Sequence, residues 1–172
     1  MLIYKVFSAL LEYPDQELLD NLPEIRTIVK SSAGSLEAIA INGLIDYLES
    51  HELTELQVRY VDTFDRAPEH SLHLTYHLFG DESDRNRGPA LIDLTEMFKE
   101  YGVKIVTNEL PDYLPLLLEF ASYLEDSEAT VFLSDVHKVL SILSANLAKA
   151  NSPYAALLAI LESHATLTRL AA

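Results

Sequence analysis

The sequence predicts an all-α fold, a single-domain multi-helix bundle of about eight or nine helices over residues 1–172. Two observations carry this. Apolar residues recur at three- and four-residue steps along almost the whole chain, the period of a helix with one buried face. Proline, glycine and small polar residues punctuate that pattern at helix-length intervals. The only strand-like residues are Val103, Ile105 and Val106, too few to build a sheet.

Leu2, Ile3, Val6, Phe7, Leu10 and Leu11 mark one face of a first short helix. Lys5 interrupts it and Glu12, Pro14 and Asp15 close it, so it reads as a core helix and not a signal peptide. Pro14 opens a second segment with Leu18, Leu19, Leu22, Ile25, Ile28 and Val29 inward. Pro23 donates no N–H, which predicts a kink or restart there. Ser31 to Gly34 breaks the chain, and a third helix carries Leu36, Ile39, Ala40, Leu44, Tyr47 and Leu48. Thr54 is placed to cap a fourth, with Leu56, Tyr60, Val61 and Phe64.

Ala67 and Pro68 mark a turn, followed by a short helix over Glu69–Phe79 that stops at Gly80. Asp81 to Gly88 is a charged loop. Pro89 suits a first helical turn, and Leu91, Leu94, Met97, Phe98 and Tyr101 form an apolar face ending at Gly102. Pro111 starts a helix with Leu114, Leu117, Leu118, Ala121 and Leu124 inward. Ser127 is placed to cap the next, with Val131, Phe132, Val136, Val139, Leu140, Leu143 and Leu147. Asn151-Ser152-Pro153 starts a last helix through Leu157, Leu158 and Leu161.

Composition excludes several functions. The net charge of −15 is the reverse of what a phosphate backbone or an anionic membrane surface selects. With 49% hydrophobic and 23% charged residues, that charge sits on a globular chain and not on a disordered one. The absence of cysteine removes disulfides, zinc–thiolate sites, iron–sulfur ligation and a thiol nucleophile, and it suits a reducing cytoplasm. No stretch approaches the roughly 18 consecutive apolar residues of a membrane span. There is no P-loop and no G-x-S-x-G elbow, and five glycines leave no phosphate-cradling loop. Neither a catalytic constellation nor a cofactor site is predicted.

Two constellations remain. His70, His73 and His77 lie at i, i+3 and i+7, and with Asp81 they could ligate a metal in a metal-dependent hydrolase. The general-base glutamate of an HExxH motif is missing, and satisfied or half-exposed histidines are the plainer reading. Residues 105–137 hold seven acids and no Lys or Arg. This is either a solvated helix face or a surface that attracts a basic partner. Glu109 and Asp112 flank Pro111, where their local role is helix capping.

A set of stretches in fixed order is more particular. Leu11-Glu12-Tyr13-Pro14-Asp15 is followed by Tyr60-Val61-Asp62-Thr63-Phe64-Asp65-Arg66, then Ser71-Leu72-His73-Leu74, His77 and Gly80. Asp84-Arg85, Arg87-Gly88, Ala90 and Asp93-Leu94 come next, then Glu109-Leu110-Pro111-Asp112-Tyr113-Leu114-Pro115-Leu116. Together they resemble the NarJ-type chaperones, the delta subunits of respiratory nitrate reductase, within the NarJ/TorD-like superfamily of redox enzyme maturation. The resemblance spans most of residues 1–160. It departs at Tyr113, where the family usually has His, and in a longer 81–88 loop. The chain also ends soon after its last helix, where many relatives carry a longer tail.

The resemblance implies an all-helical cytoplasmic chaperone without catalytic turnover. It implies binding to the basic N-terminal segment of the apo catalytic subunit of a molybdoenzyme, most like nitrate reductase, until the molybdenum cofactor is inserted. A chaperone for a related molybdoenzyme is the alternative, and a homodimer or a structural helical module stays open. Such a segment needs apolar anchors with acidic edges. Tyr60, Phe64, Leu114, Leu117 and Leu118 are the expected anchors, and Asp65, Glu109, Asp112 and Glu119 the expected edge. Arg66, Arg85 and Arg87 are expected to order the loop or meet acids of the client, with His73, His77, Leu110, Pro111, Tyr113 and Pro115 completing the site.

Overall fold

The computed structural model describes residues 2–79 and 85–171, which form nine α-helices and no strand. These are α1 (Leu2–Leu11), α2 (Gln16–Ser32), α3 (Ser35–Glu49), α4 (Leu53–Tyr60), α5 (Leu74–Phe79), α6 (Arg87–Glu100), α7 (Leu114–Tyr123), α8 (Asp126–Lys149) and α9 (Ala155–Ala171). The all-α expectation holds. The expected stop at Gly80 and the acids Asp81 and Asp84 lie outside the described residues.

The core is one contiguous apolar cluster running from Ile3 to Ala165. α1 lies along α7, and Phe7, Leu10 and Leu11 pack with Leu114, Leu117 and Leu118. The Ser8 hydroxyl ties the pair by donating to the Pro115 carbonyl at 2.7 Å. α8 and α9 form an antiparallel hairpin through the turn at Asn151, whose φ of 52° is left-handed. Ser152 and Tyr154 carry the chain into α9 as the Asn-Ser-Pro pattern predicts.

α8 is the longest described helix, and Asp126, Glu128, Asp135 and Lys138 keep it short of roughly 18 consecutive apolar residues, as expected. By length and mean hydropathy it alone among the described helices reaches the range of a membrane span, although only a third of that window is buried. Its stripe Ala129, Leu133, Leu140, Leu143 and Leu147 is buried, with α9 packed along it.

Several boundaries also move. Asp15, not Pro14, caps α2 by accepting from the Leu18 amide at 2.8 Å, and α2 runs through Pro23 without restarting. Thr54 and Ser127 lie inside α4 and α8, which begin one residue before each. At α8 the Glu125 amide donates to Glu128 in a capping box. Leu36 and Ile39 are exposed, and Ile41 and Ile45 take the inward face of α3. Gly102 ends α6 as expected, at φ 73°, with Val103 donating to Phe98 and Gly102 to Lys99. That pair of hydrogen bonds is the Schellman closure, which a left-handed glycine permits.

Candidate functional site

Two separated stretches of the chain meet in a short antiparallel bridge between His73 and Tyr113. The Leu114 amide donates to the Leu72 carbonyl at 2.8 Å, and the Leu74 amide to the Asp112 carbonyl at 3.0 Å. The stretch 110–113 is held out of helix, so α7 begins at Leu114 and not at Pro111 as expected. Pro115 falls in the first turn of α7, where no amide donor is needed.

The bridge buries Asp112 completely. One carboxylate oxygen, Oδ2, accepts from both the amide and the hydroxyl of Thr75, near the start of α5. The other, Oδ1, faces His73 Nδ1 at 3.5 Å, and neither of these two buried atoms has a hydrogen-bond partner. Burial works to raise the Asp112 carboxyl, but His73 and the two Thr75 donors outweigh it and the net direction is down. Arg87 Nε donates to the Thr75 hydroxyl at 3.1 Å, which joins α6 to the same network. Asp112 therefore does cap a helix, but that helix is α5, 37 residues earlier in the chain. Asp112 is no solvent-facing acidic edge, which corrects that expectation.

A second network lies beside it. After α4 the chain widens into one π turn, Val61–Asp65, closed by the Arg66 amide on the Val61 carbonyl at 3.0 Å. Such turns insert one extra residue into a helix. Tyr60 and Phe64 come to lie 4.8 Å apart, and Phe64 lies 4.8 Å from Tyr154. The Tyr60 hydroxyl donates to the Leu11 carbonyl at 2.8 Å, and the Tyr113 hydroxyl lies 3.0 Å away from it. Tyr113 also reaches a Glu12 carboxylate oxygen at 3.4 Å. Burial pushes the phenols of Tyr60 and Tyr113 well above their ordinary value, so both are neutral donors. Burial, with Glu109 and Glu119 nearby, also holds the Glu12 carboxyl above its ordinary range.

Between the two networks opens a cleft of about 260 Å³. Its aromatic walls are Tyr13, Tyr60, Phe64 and Tyr113, and its polar rim is Asp65, Ser71, His73 and Glu109. His73 Nε2 lies 3.9 Å from a Glu109 oxygen. The volume falls just below the roughly 300–1,000 Å³ of small-molecule sites. It suits one or two anchoring side chains, and its carboxylates favour a cationic neighbour.

Six of the residues singled out in the sequence thus converge: Tyr60, Phe64, Asp65, His73, Glu109 and Tyr113. The others do not line the cleft. Leu114, Leu117 and Leu118 are core residues with no free surface, because α1 covers that face of α7, so they are not groove anchors. Pro111 and Pro115 are buried, and Leu110 is 40% exposed. Glu119 lies on α7 against Tyr123. Arg66 pairs with Asp62 at 2.8 Å, and Arg85 is exposed. His77 donates to the Ser71 carbonyl and His70 to the Thr63 carbonyl. The three histidines therefore point to different partners, and no group of three metal-ligating side chains occurs among the described residues. The hydrolase reading finds no support in this geometry. Sequence reasoning missed Tyr13, Ser71 and Thr75. Tyr13 and Ser71 sit inside the quoted stretches, whereas Thr75 carried no signal of its own.

Residues 35–160 match the nitrate reductase delta subunit family. The nitrate reductase molybdenum cofactor assembly chaperone NarJ of Escherichia coli K12 is 35% identical over 91% of this chain and 66% of its own length. The probable nitrate reductase molybdenum cofactor assembly chaperone NarJ of Bacillus subtilis is 32% identical over 92% of this chain and 85% of its own. The chain spans about two thirds of the length of the E. coli relatives it matches. A crystal structure from Archaeoglobus fulgidus, assigned as a redox enzyme maturation protein, has the same fold. It aligns with a TM-score of 0.67 at 20% identity, covering 93% of this chain and 90% of the other. On the extent of these matches, the chain belongs to the nitrate reductase delta subunit family.

Proposed function

We propose that this protein is a cytoplasmic assembly chaperone for the catalytic subunit of a nitrate reductase. In this reading it acts as one domain, holds the basic N-terminal segment of the apo subunit while the molybdenum cofactor is inserted, and then releases it. It carries out no covalent chemistry and needs no cofactor of its own. The observation that carries the proposal is the agreement of relatives: proteins named for this role match more than nine tenths of the chain at 32–35% identity.

The cleft supplies a physical means. Tyr13, Tyr60, Phe64 and Tyr113 offer an aromatic seat for an apolar side chain, and Asp65 and Glu109 face any flanking Lys or Arg. The bridge and the Asp112–Thr75–Arg87 chain fix the seat before the client arrives, so little ordering is lost on binding.

The test is co-production with the apo catalytic subunit of a nitrate reductase, either whole or lacking its N-terminal segment, followed by size-exclusion chromatography. A complex with the whole subunit and none with the truncated one is expected. No complex with either, or equal complexes with both, would overturn the proposal.

A further inference from the structure

On a different part of the surface, two cavities flank Phe120, one of about 340 Å³ and one of about 330 Å³. Phe120 is itself 2% exposed and forms their shared wall, with Phe98 at 4.7 Å and Phe132 at 5.3 Å. The first cavity runs between α6, α7 and α8, and the second lies under the irregular stretch 103–107. Their rims carry large apolar side chains that nothing covers. Tyr101 is 51% exposed, Val131 57% and Tyr123 64%. α6 has turned little of itself inward, since Phe98 is its one buried residue.

Charge selects the occupant. Glu128 and Asp135 border the first cavity and Glu119 the second, against the single cation Lys104. These acids belong to the stretch 105–137, which has no Lys or Arg at all. A second copy of this acidic chain would meet repulsion there, as would nucleic acid. We infer that the groove astride Phe120 is a docking surface for a basic amphipathic helix of a partner protein, separate from the His73 cleft and independent of its role. Two apolar cavities side by side suit the anchors of one helix face, spaced at i and i+3 or i+4, with cations toward the acidic rim. The acid-only stretch is then an interaction edge.

The probe is a labelled peptide of about 18 residues, long enough to populate a helix, with Leu on one face and Lys on the other. It is titrated into the full chain and followed by fluorescence anisotropy. Saturable binding is expected, weakened by added salt and absent for the same peptide with Glu in place of Lys. The double variant V131K/D135K should weaken it by about tenfold or more. Both residues are exposed, so folding is not at risk. The variant E24K/L36K changes net charge equally but lies on exposed sites of α2 and α3, outside the groove, and should bind as the wild type does. No saturable binding, or equal weakening by the two variants, would overturn the inference. Neither result touches the chaperone reading, which is judged on the apo subunit and its N-terminal segment.

Discussion

The carboxylate of Asp112 and the imidazole of His73 face each other at 3.5 Å inside the protein, with no other partner for either facing atom. The opposite oxygen of Asp112 holds the start of α5 through Thr75. One buried side chain therefore joins the 110–115 stretch, the cleft wall and α5. Removing it leaves the Thr75 amide unpaired. Asp112→Ala is expected to destabilise the fold by about 2–4 kcal/mol in urea denaturation, because buried donors lose their acceptor. Asp112→Asn keeps one acceptor and gains a donor toward His73, and should cost less.

The same residue makes stability depend on pH with a definite sign. Its folded carboxyl titrates below the ordinary value of 3.8, because His73 and Thr75 outweigh burial. The stabilising contribution is thus complete above 3.8 and fades as pH falls through the lower, folded value. The gap in unfolding free energy between wild type and Asp112→Asn should narrow as pH drops below 3.8. A gap that stays constant down to acid unfolding would contradict a buried Asp112 carboxylate held in its ionised form.

The two phenols of the aromatic network should respond unequally. Tyr60→Phe strips the buried Leu11 carbonyl of its donor and is expected to cost about 1–3 kcal/mol. Tyr113→Phe removes a hydroxyl whose other neighbour, Glu12, reaches solvent, and should cost less. Thermal or urea midpoints of the two variants, measured side by side, decide the order.

Two glycines give a contrast in backbone terms alone. A Cβ at Gly102 meets no atom, yet its φ of 73° is left-handed, so Gly102→Ala should cost about 1–2 kcal/mol. Gly43 also has open space but lies exposed within α3, so Gly43→Ala should stabilise by about 0.5–1 kcal/mol. Opposite signs in one denaturation experiment are the expected result.

Period and punctuation made the helices legible, because each must bury one stripe and each must end. Gly102 and the Asn151 turn could be read this way, since left-handed positions select few residues. The rotation of α3 could not. Leu36 and Ile39 fit the same period as Ile41 and Ile45, and the partner helices α2 and α9 decide which stripe is covered. The quoted motifs supply most of the residues that line the cleft, but not the contacts those residues make. Asp112 looked like a local cap and caps a helix distant in sequence, while Leu114 and Leu118 looked like open anchors and are core. Those assignments depend on the pairing of 72–75 with 112–114, a long-range contact with no local signature.

A chaperone of this kind is expected to change the metal content of its client. The direct measurement is the molybdenum content of a nitrate reductase catalytic subunit purified from cells that lack other chaperones of this family, with and without this protein. The metal should approach one atom per subunit when the chain is present and fall severalfold when it is absent, at equal amounts of subunit. Equal molybdenum content in the two preparations would contradict that expectation.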